Sequence, residues 1–229
     1  MTLRKLAWMA LAGGLVIAPV AAALAANVVI VRSVGPSAKA YPPGKALPEN
    51  SSIKLGNGDA VTLMGPNASR TLRGPGTFAA STVDRSSLAM AAGRRSRFGA
   101  MRTGEIATNP SLWDVDVTQS GKMCVAEPAK LKLWRPDTES AAKLSIHAGA
   151  KRQALEFKAG QAIAPWPAGL PVTNGGEYQL EMAGGDSSTL SFVMVNAPPS
   201  DLVGAAQLLI NKGCQNQLDL LVETAAKAE

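Results

Sequence analysis

Few residues in this chain could do chemistry, and the most informative are its two cysteines, Cys124 and Cys214. In an exported protein an even pair reads as a disulfide. Such a bridge would close a loop of about 90 residues, worth on the order of 4 to 5 kcal/mol in the chain-entropy account. Two separate reactive thiols are the other reading of the pair. His147 is the single histidine, and one histidine beside a cysteine pair supplies too few ligands for zinc. Asp114 and Asp116 flank Val115, so a strand there would project both from one face, as paired acids or a weak cation site would need; a solvated strand face is the plainer reading. There is no G-x-S-x-G elbow, no phosphate loop, no H-E-x-x-H, and no G-x-G-x-x-G between a strand and a helix. The chain is expected to have no catalytic residues, no metal and no cofactor.

Two further groups point to binding. Trp134, in Leu131-Lys132-Leu133-Trp134-Arg135, and Trp166 belong to a segment poor in other large aromatics. They are either core residues of a β-domain or stacking platforms for a sugar ring. Between Asp84 and Ser111 the arginines Arg85, Arg94, Arg95, Arg97 and Arg102 face only Asp84 and Glu105. That stretch is either a solvated cationic connector or a patch for a partner or an anionic lipid surface, with Arg94, Arg95, Arg97 and Arg102 as its contacts, since guanidinium forks suit phosphate and carboxylate.

The elements that would position these residues follow from pattern. Residues 1–26 read as a secretory signal peptide: basic Arg4-Lys5, an apolar run from Leu6 to Ile17, Pro19, and an A-x-A cleavage signal at Ala23-Leu24-Ala25. The run is shorter than the roughly 20 residues a membrane span needs, and no later segment reaches that length. A periplasmic or secreted protein is expected. Removing Arg4 and Lys5 lowers the formal charge of the 229-residue chain from +6 to +4, an excess too small to indicate nucleic acid.

Asn27–Val34 is an apolar, β-branched run of strand length, followed by a Pro/Gly-rich spacer. From Ile53 to Phe78, alternating apolar positions are punctuated by Gly56-Asn57-Gly58-Asp59, Gly65-Pro66-Asn67 and Gly74-Pro75-Gly76, the pattern of a β-meander. Val34-Gly35, the spacer, Leu47, Ile53-x-Leu55, Gly58-Asp59-x-Val61-Thr62-Leu63 and the glycine-rich turn before Phe78 together resemble the FecR-type periplasmic domain, over residues 27–83. The resemblance implies a small all-β module contacting another protein or an envelope component. Regulators of that family typically carry a cytoplasmic region that handles a sigma factor and then a membrane span; this chain starts instead with a signal peptide, so the anti-sigma role is not implied.

Residues 84–111 are expected to be a linker. Residues 112–199 hold eight short candidate strands: Trp113–Val117, Met123–Val125, Lys130–Arg135, Lys143–His147, Gln153–Phe157, Ala162–Pro165, Glu177–Met182 and Thr189–Val195. Turn signals between them, at spacings near ten residues, predict an antiparallel sandwich of immunoglobulin-like type. In residues 200–229 the period becomes helical, with Leu202, Ala205, Ala206, Leu209 and Ile210 on one side and Gly213 as a stop. The expected fold is thus mainly β: a FecR-like domain, a sandwich and C-terminal helices. The expected role is non-catalytic contact with an envelope protein, with a carbohydrate- or peptidoglycan-binding module as the alternative.

Overall fold

The computed structural model describes residues 27–82 and 110–226. The segment expected to be a signal peptide, with its expected cleavage near Ala25, and Arg94, Arg95, Arg97 and Arg102 of the basic segment lie outside the described residues. The fold is mainly β with two C-terminal helices.

The first unit contains β1 (Asn27–Val34), β2 (Ala46–Pro48), β3 (Ser52–Leu55), β4 (Ala60–Met64), β5 (Ser69–Arg73) and β6 (Gly76–Ala79). An antiparallel sheet runs in the order β2-β1-β4-β5, while β3 pairs with β6 in a second, two-stranded sheet. A meander would have paired β3 with β4. The turn between them is a corner instead, because the Asp59 carboxylate holds it to a neighbouring turn at Pro36–Lys39. Asp59 accepts the backbone N–H groups of Gly56 (2.6 Å) and Ser37 (2.9 Å) and the Ser37 hydroxyl (2.5 Å). The turn carrying Ser37 directly follows β1, so these bonds bring β4 against β1.

β1 is buried on both sides, which accounts for its unbroken apolar run. Val28 and Ile30 join Ile53, Leu55, Val61 and Leu63 in the core of the first unit. Val29 and Val31 face the opposite way, toward the helices.

The second unit pairs β10 (Ala142–Ala148) with β11 (Lys151–Phe157) and β13 (Glu177–Met182), β13 with β14 (Ser187–Met194), and β14 with β8 (Gly121–Val125). A three-stranded sheet joins β12 (Ile163–Pro165), β9 (Lys132–Trp134) and β7 (Val115–Asp116). One core contains residues of both sheets, among them Leu133, Leu144, Ile146, Phe157, Leu180 and Phe192. All eight expected strands are present. Each sheet also holds one parallel pairing, β8 with β14 and β7 with β9. Side-chain alternation carries no information on strand direction, so the sequence pattern could not show it.

α1 (Leu202–Lys212) is capped by Asp201, whose side chain accepts the Gly204 N–H at 2.8 Å, and ends at Gly213 in the left-handed conformation, φ 75°. α2 (Gln215–Thr224) follows at once. The helices are the common floor of both β units. Val29, Val31 and Met64 from the first and Cys124 and Val195 from the second share one apolar cluster with Ala206, Leu209, Leu218 and Leu221. The Arg32 guanidinium also donates to Asp219 on α2, and Ser69 N–H donates to the Ala226 carbonyl at 2.7 Å.

Candidate binding surfaces

A sheet edge is either satisfied or available, and the two edges of the five-stranded sheet differ. β8 is sealed. Its Cys124 forms the disulfide with Cys214, Cα to Cα 5.8 Å, immediately before α2. The Gln217 side chain then does what a neighbouring strand would do. Its Oε1 accepts the Cys124 N–H at 2.7 Å, and its Nε2 donates to the Cys124 carbonyl at 3.0 Å and to that of Leu112 at 2.8 Å. Gln217 is 4% exposed, so all three bonds lie in a site where an unpaired amide would be costly.

β11, at the opposite edge, pairs only with β10 among the described residues. The β10–β11 hairpin turns on Gly149 and Ala150, with Gly149 at φ 58° as glycine-led two-residue turns require. The strand has seven residues, no proline and no register break. Lys151, Arg152, Gln153, Ala154 and Glu156 are exposed, while Phe157 is buried in the sandwich core.

A second kind of surface lies where α2 meets the sandwich. A cleft of about 320 Å³ is bounded by Asp114, Asp116, Lys122 and Trp134 from the sandwich and Asp219 and Glu223 from α2. A neighbouring one of about 480 Å³ includes Trp113, Glu127, Lys130 and Lys132, and Asp114 borders both. The two aspartates are held differently. Asp116 accepts the Thr118 N–H (2.9 Å) and hydroxyl (2.7 Å). Asp114 accepts the Ser111 N–H at 3.2 Å and is half-buried; burial pushes its carboxyl above the ordinary carboxylate value, against the pull of that N–H and of Lys132. The structure therefore does bring the two acids to one cleft, but each is anchored in its own turn.

Trp134 is 6% exposed, so the cleft meets little of its ring. Trp166 is partly buried and packs against the sandwich core, edge-on to Tyr178 and Phe192 at 5.2 and 5.1 Å between ring centres, with its indole N–H donating to the Leu170 carbonyl. His147 stands opposite Gln179 in register, with its ring nitrogen 3.2 Å from the Glu181 carboxylate. Arg135 is 2% exposed; it donates to the carbonyls of Ser140, Lys158 and Gln161 and stacks on Phe157. No group of three or more potential metal ligands occurs among the described residues, and no helix among them is long and apolar enough to cross a membrane.

Sequence pattern alone missed Gln217 and the open β11 edge. Gln217 carried no signal, being one amide in a polar helix start. The edge had half a signal: the hairpin was legible, but the position of a strand within its sheet is not.

Fold and surfaces together define a disulfide-pinned, two-unit β protein clamped by a helical pair. No family model matches the chain, and no curated protein or solved structure matches it significantly.

Proposed function

We propose that this is a non-catalytic, exported protein of a bacterial cell envelope that works by protein–protein contact, and that its first unit is a FecR-like β-domain. The observation that carries the contact reading is the contrast between the two edges of one sheet. One is covered at Cys124 by a disulfide and a buried glutamine; the other, β11, is an unbroken seven-residue strand whose outward backbone groups suit an added strand. A signal peptide and a bridged cysteine pair support export to an oxidising compartment, the periplasm in this reading. The residues that carry the FecR resemblance also act as one unit here. Gly35 has φ 97°, and a Cβ on it would lie 2.5 Å from the Asp59 carboxylate, so the glycine of Val34-Gly35 and the acid of Gly58-Asp59 require each other.

Crosslinking in intact cells with a photoreactive residue at position 154 should capture a protein on β11. Absence of any captured protein there would end the contact reading. The glycan reading is favoured by one specific feature, the half-buried Trp113 lining one of the two clefts beside Asp114. Its test is quenching of tryptophan fluorescence by peptidoglycan fragments, and a flat titration would retire it.

A further inference from the structure

β11 has a polarity that selects its occupant. The Ala183 N–H donates to the Lys143 carbonyl at 2.9 Å, so the odd-numbered residues of β10 direct their backbone groups toward β13. The even-numbered residues Leu144, Ile146 and Ala148 then bond to their β11 partners Leu155, Gln153 and Lys151. Arg152, Ala154 and Glu156 are left with N–H and C=O directed at the open edge. Their side chains are exposed and, by alternation, share one face of the sheet.

This arrangement is self-complementary. If a second β11 runs antiparallel with Ala154 opposite Ala154, then Arg152 stands opposite Glu156 of the other copy, and Glu156 opposite its Arg152. All three edge-directed residues fall at hydrogen-bonded positions in that register, and both charged pairs are of opposite sign. A shift by two residues in either direction breaks both charge pairings, and a shift by one puts the edge-directed groups out of phase. Arg152 leans toward Glu181 of its own sheet at 3.6 Å but is 62% exposed, so its guanidinium is within reach of a facing strand.

We propose that the occupant of this edge is a second copy of the same chain, paired β11 to β11 across a two-fold axis at Ala154, making one ten-stranded sheet from two five-stranded ones. The inference rests on the reading of β11 as a contact edge and names the partner. Isologous pairing of this kind is the commonest way a chain meets its own copy.

The test is the mass of the purified, oxidised mature protein by analytical ultracentrifugation, beside four variants. Wild type is expected at twice the chain mass. Arg152→Glu and Glu156→Arg, each placing like charges opposite one another, are expected at the monomer mass, and the double swap Arg152→Glu/Glu156→Arg is expected to restore the dimer. Ala154→Pro removes an N–H that points away from its own sheet, so the fold should tolerate it while any strand addition is lost. Far-UV circular dichroism of each variant verifies folding. Ala154→Cys gives a second measurement: paired residues of this type lie about 5.5 Å apart between Cα atoms, within disulfide range, so oxidation should link two chains at that position. A monomeric wild type that Ala154→Cys does not crosslink, or a double swap that stays monomeric, overturns the dimer. If the monomeric wild type still captures a different protein in cells, and Ala154→Pro abolishes that capture, the dimer falls while the contact reading stands.

Discussion

The two β units solve the same problem, placing an aspartate inside a small β fold, in opposite ways. Asp59 in the first unit has three donors on its carboxylate, and they hold it below its ordinary value; the Ser37 hydroxyl is the largest cause, followed by the backbone N–H groups of Ser37 and Gly56. Asp114 in the second has one long backbone bond and is pushed up by burial. Hydrogen bonds to the charged form outweigh desolvation in one case and lose to it in the other. The surroundings differ as well. Residues 27–82 carry Arg32, Lys39, Lys45, Lys54, Arg70 and Arg73 against Glu49 and Asp59, a formal +4, whereas in residues 110–226 acidic side chains outnumber basic ones. The first unit uses its acid as a structural tie; the second leaves one beside two clefts.

What keeps such different units together is the helical pair, and the largest expected effect comes from loosening it. Reduction of the Cys124–Cys214 bridge, or its replacement by serines, should cost on the order of 4 kcal/mol, measured by denaturant unfolding with and without reductant. Next is Leu209→Ala, at a fully buried position in the cluster that both units share. About 2 to 5 kcal/mol should be lost. In protein lacking residues 1–26 the tryptophans are Trp113, Trp134 and Trp166, so fluorescence reports on the second unit and, through Trp113, on the shared cluster, while far-UV circular dichroism also reports on the strands of the first. Both signals should shift together; a first unit that keeps its own midpoint would show two independent domains rather than a clamped pair.

Smaller effects separate the units. Gln217→Leu leaves the buried Cys124 N–H and carbonyl without their partners and should cost about 1 to 3 kcal/mol. Gly35→Ala should cost a similar amount, about 1 to 3 kcal/mol, through positive φ and the clash with Asp59. Both are read from unfolding curves.

The pH dependence has opposite signs for the two aspartates. The folded-state value of Asp59 is depressed, so its contribution is present above the unfolded carboxyl value and is lost as pH falls through the lower folded one. Asp59→Asn should therefore flatten the acid limb of the stability profile. The folded-state value of Asp114 is raised, so its contribution is present below the unfolded value and is lost as pH rises through the higher folded one. Asp114→Asn should then stabilise slightly at neutral pH and not in acid. Identical profiles for the two variants would break the comparison.

How far the fold was legible depended on the range of the interaction responsible. The eight sandwich strands and the Gly213 stop follow from local alternation, period and turn chemistry, and all are present. The β3–β4 corner was misread as a meander because it depends on Ser37 reaching Asp59 across 22 positions. Trp134 and Trp166 were legible as aromatics of the second unit, but not how little of Trp134 or how much of the core around Trp166 they would meet.

By itself, then, the sequence determined which segments extend, where they turn and that two cysteines were available to pair, since each of these is decided by neighbours a few residues apart. Tertiary structure alone decided that both β units rest on one helical floor, that Gln217 would bond the edge of β8 at Cys124, and that β11 would pair only with β10 among the described residues, with Arg152 and Glu156 disposed about Ala154. Those are relations between residues far apart in the chain, fixed by which faces must be buried together and which backbone groups still lack a partner once they are.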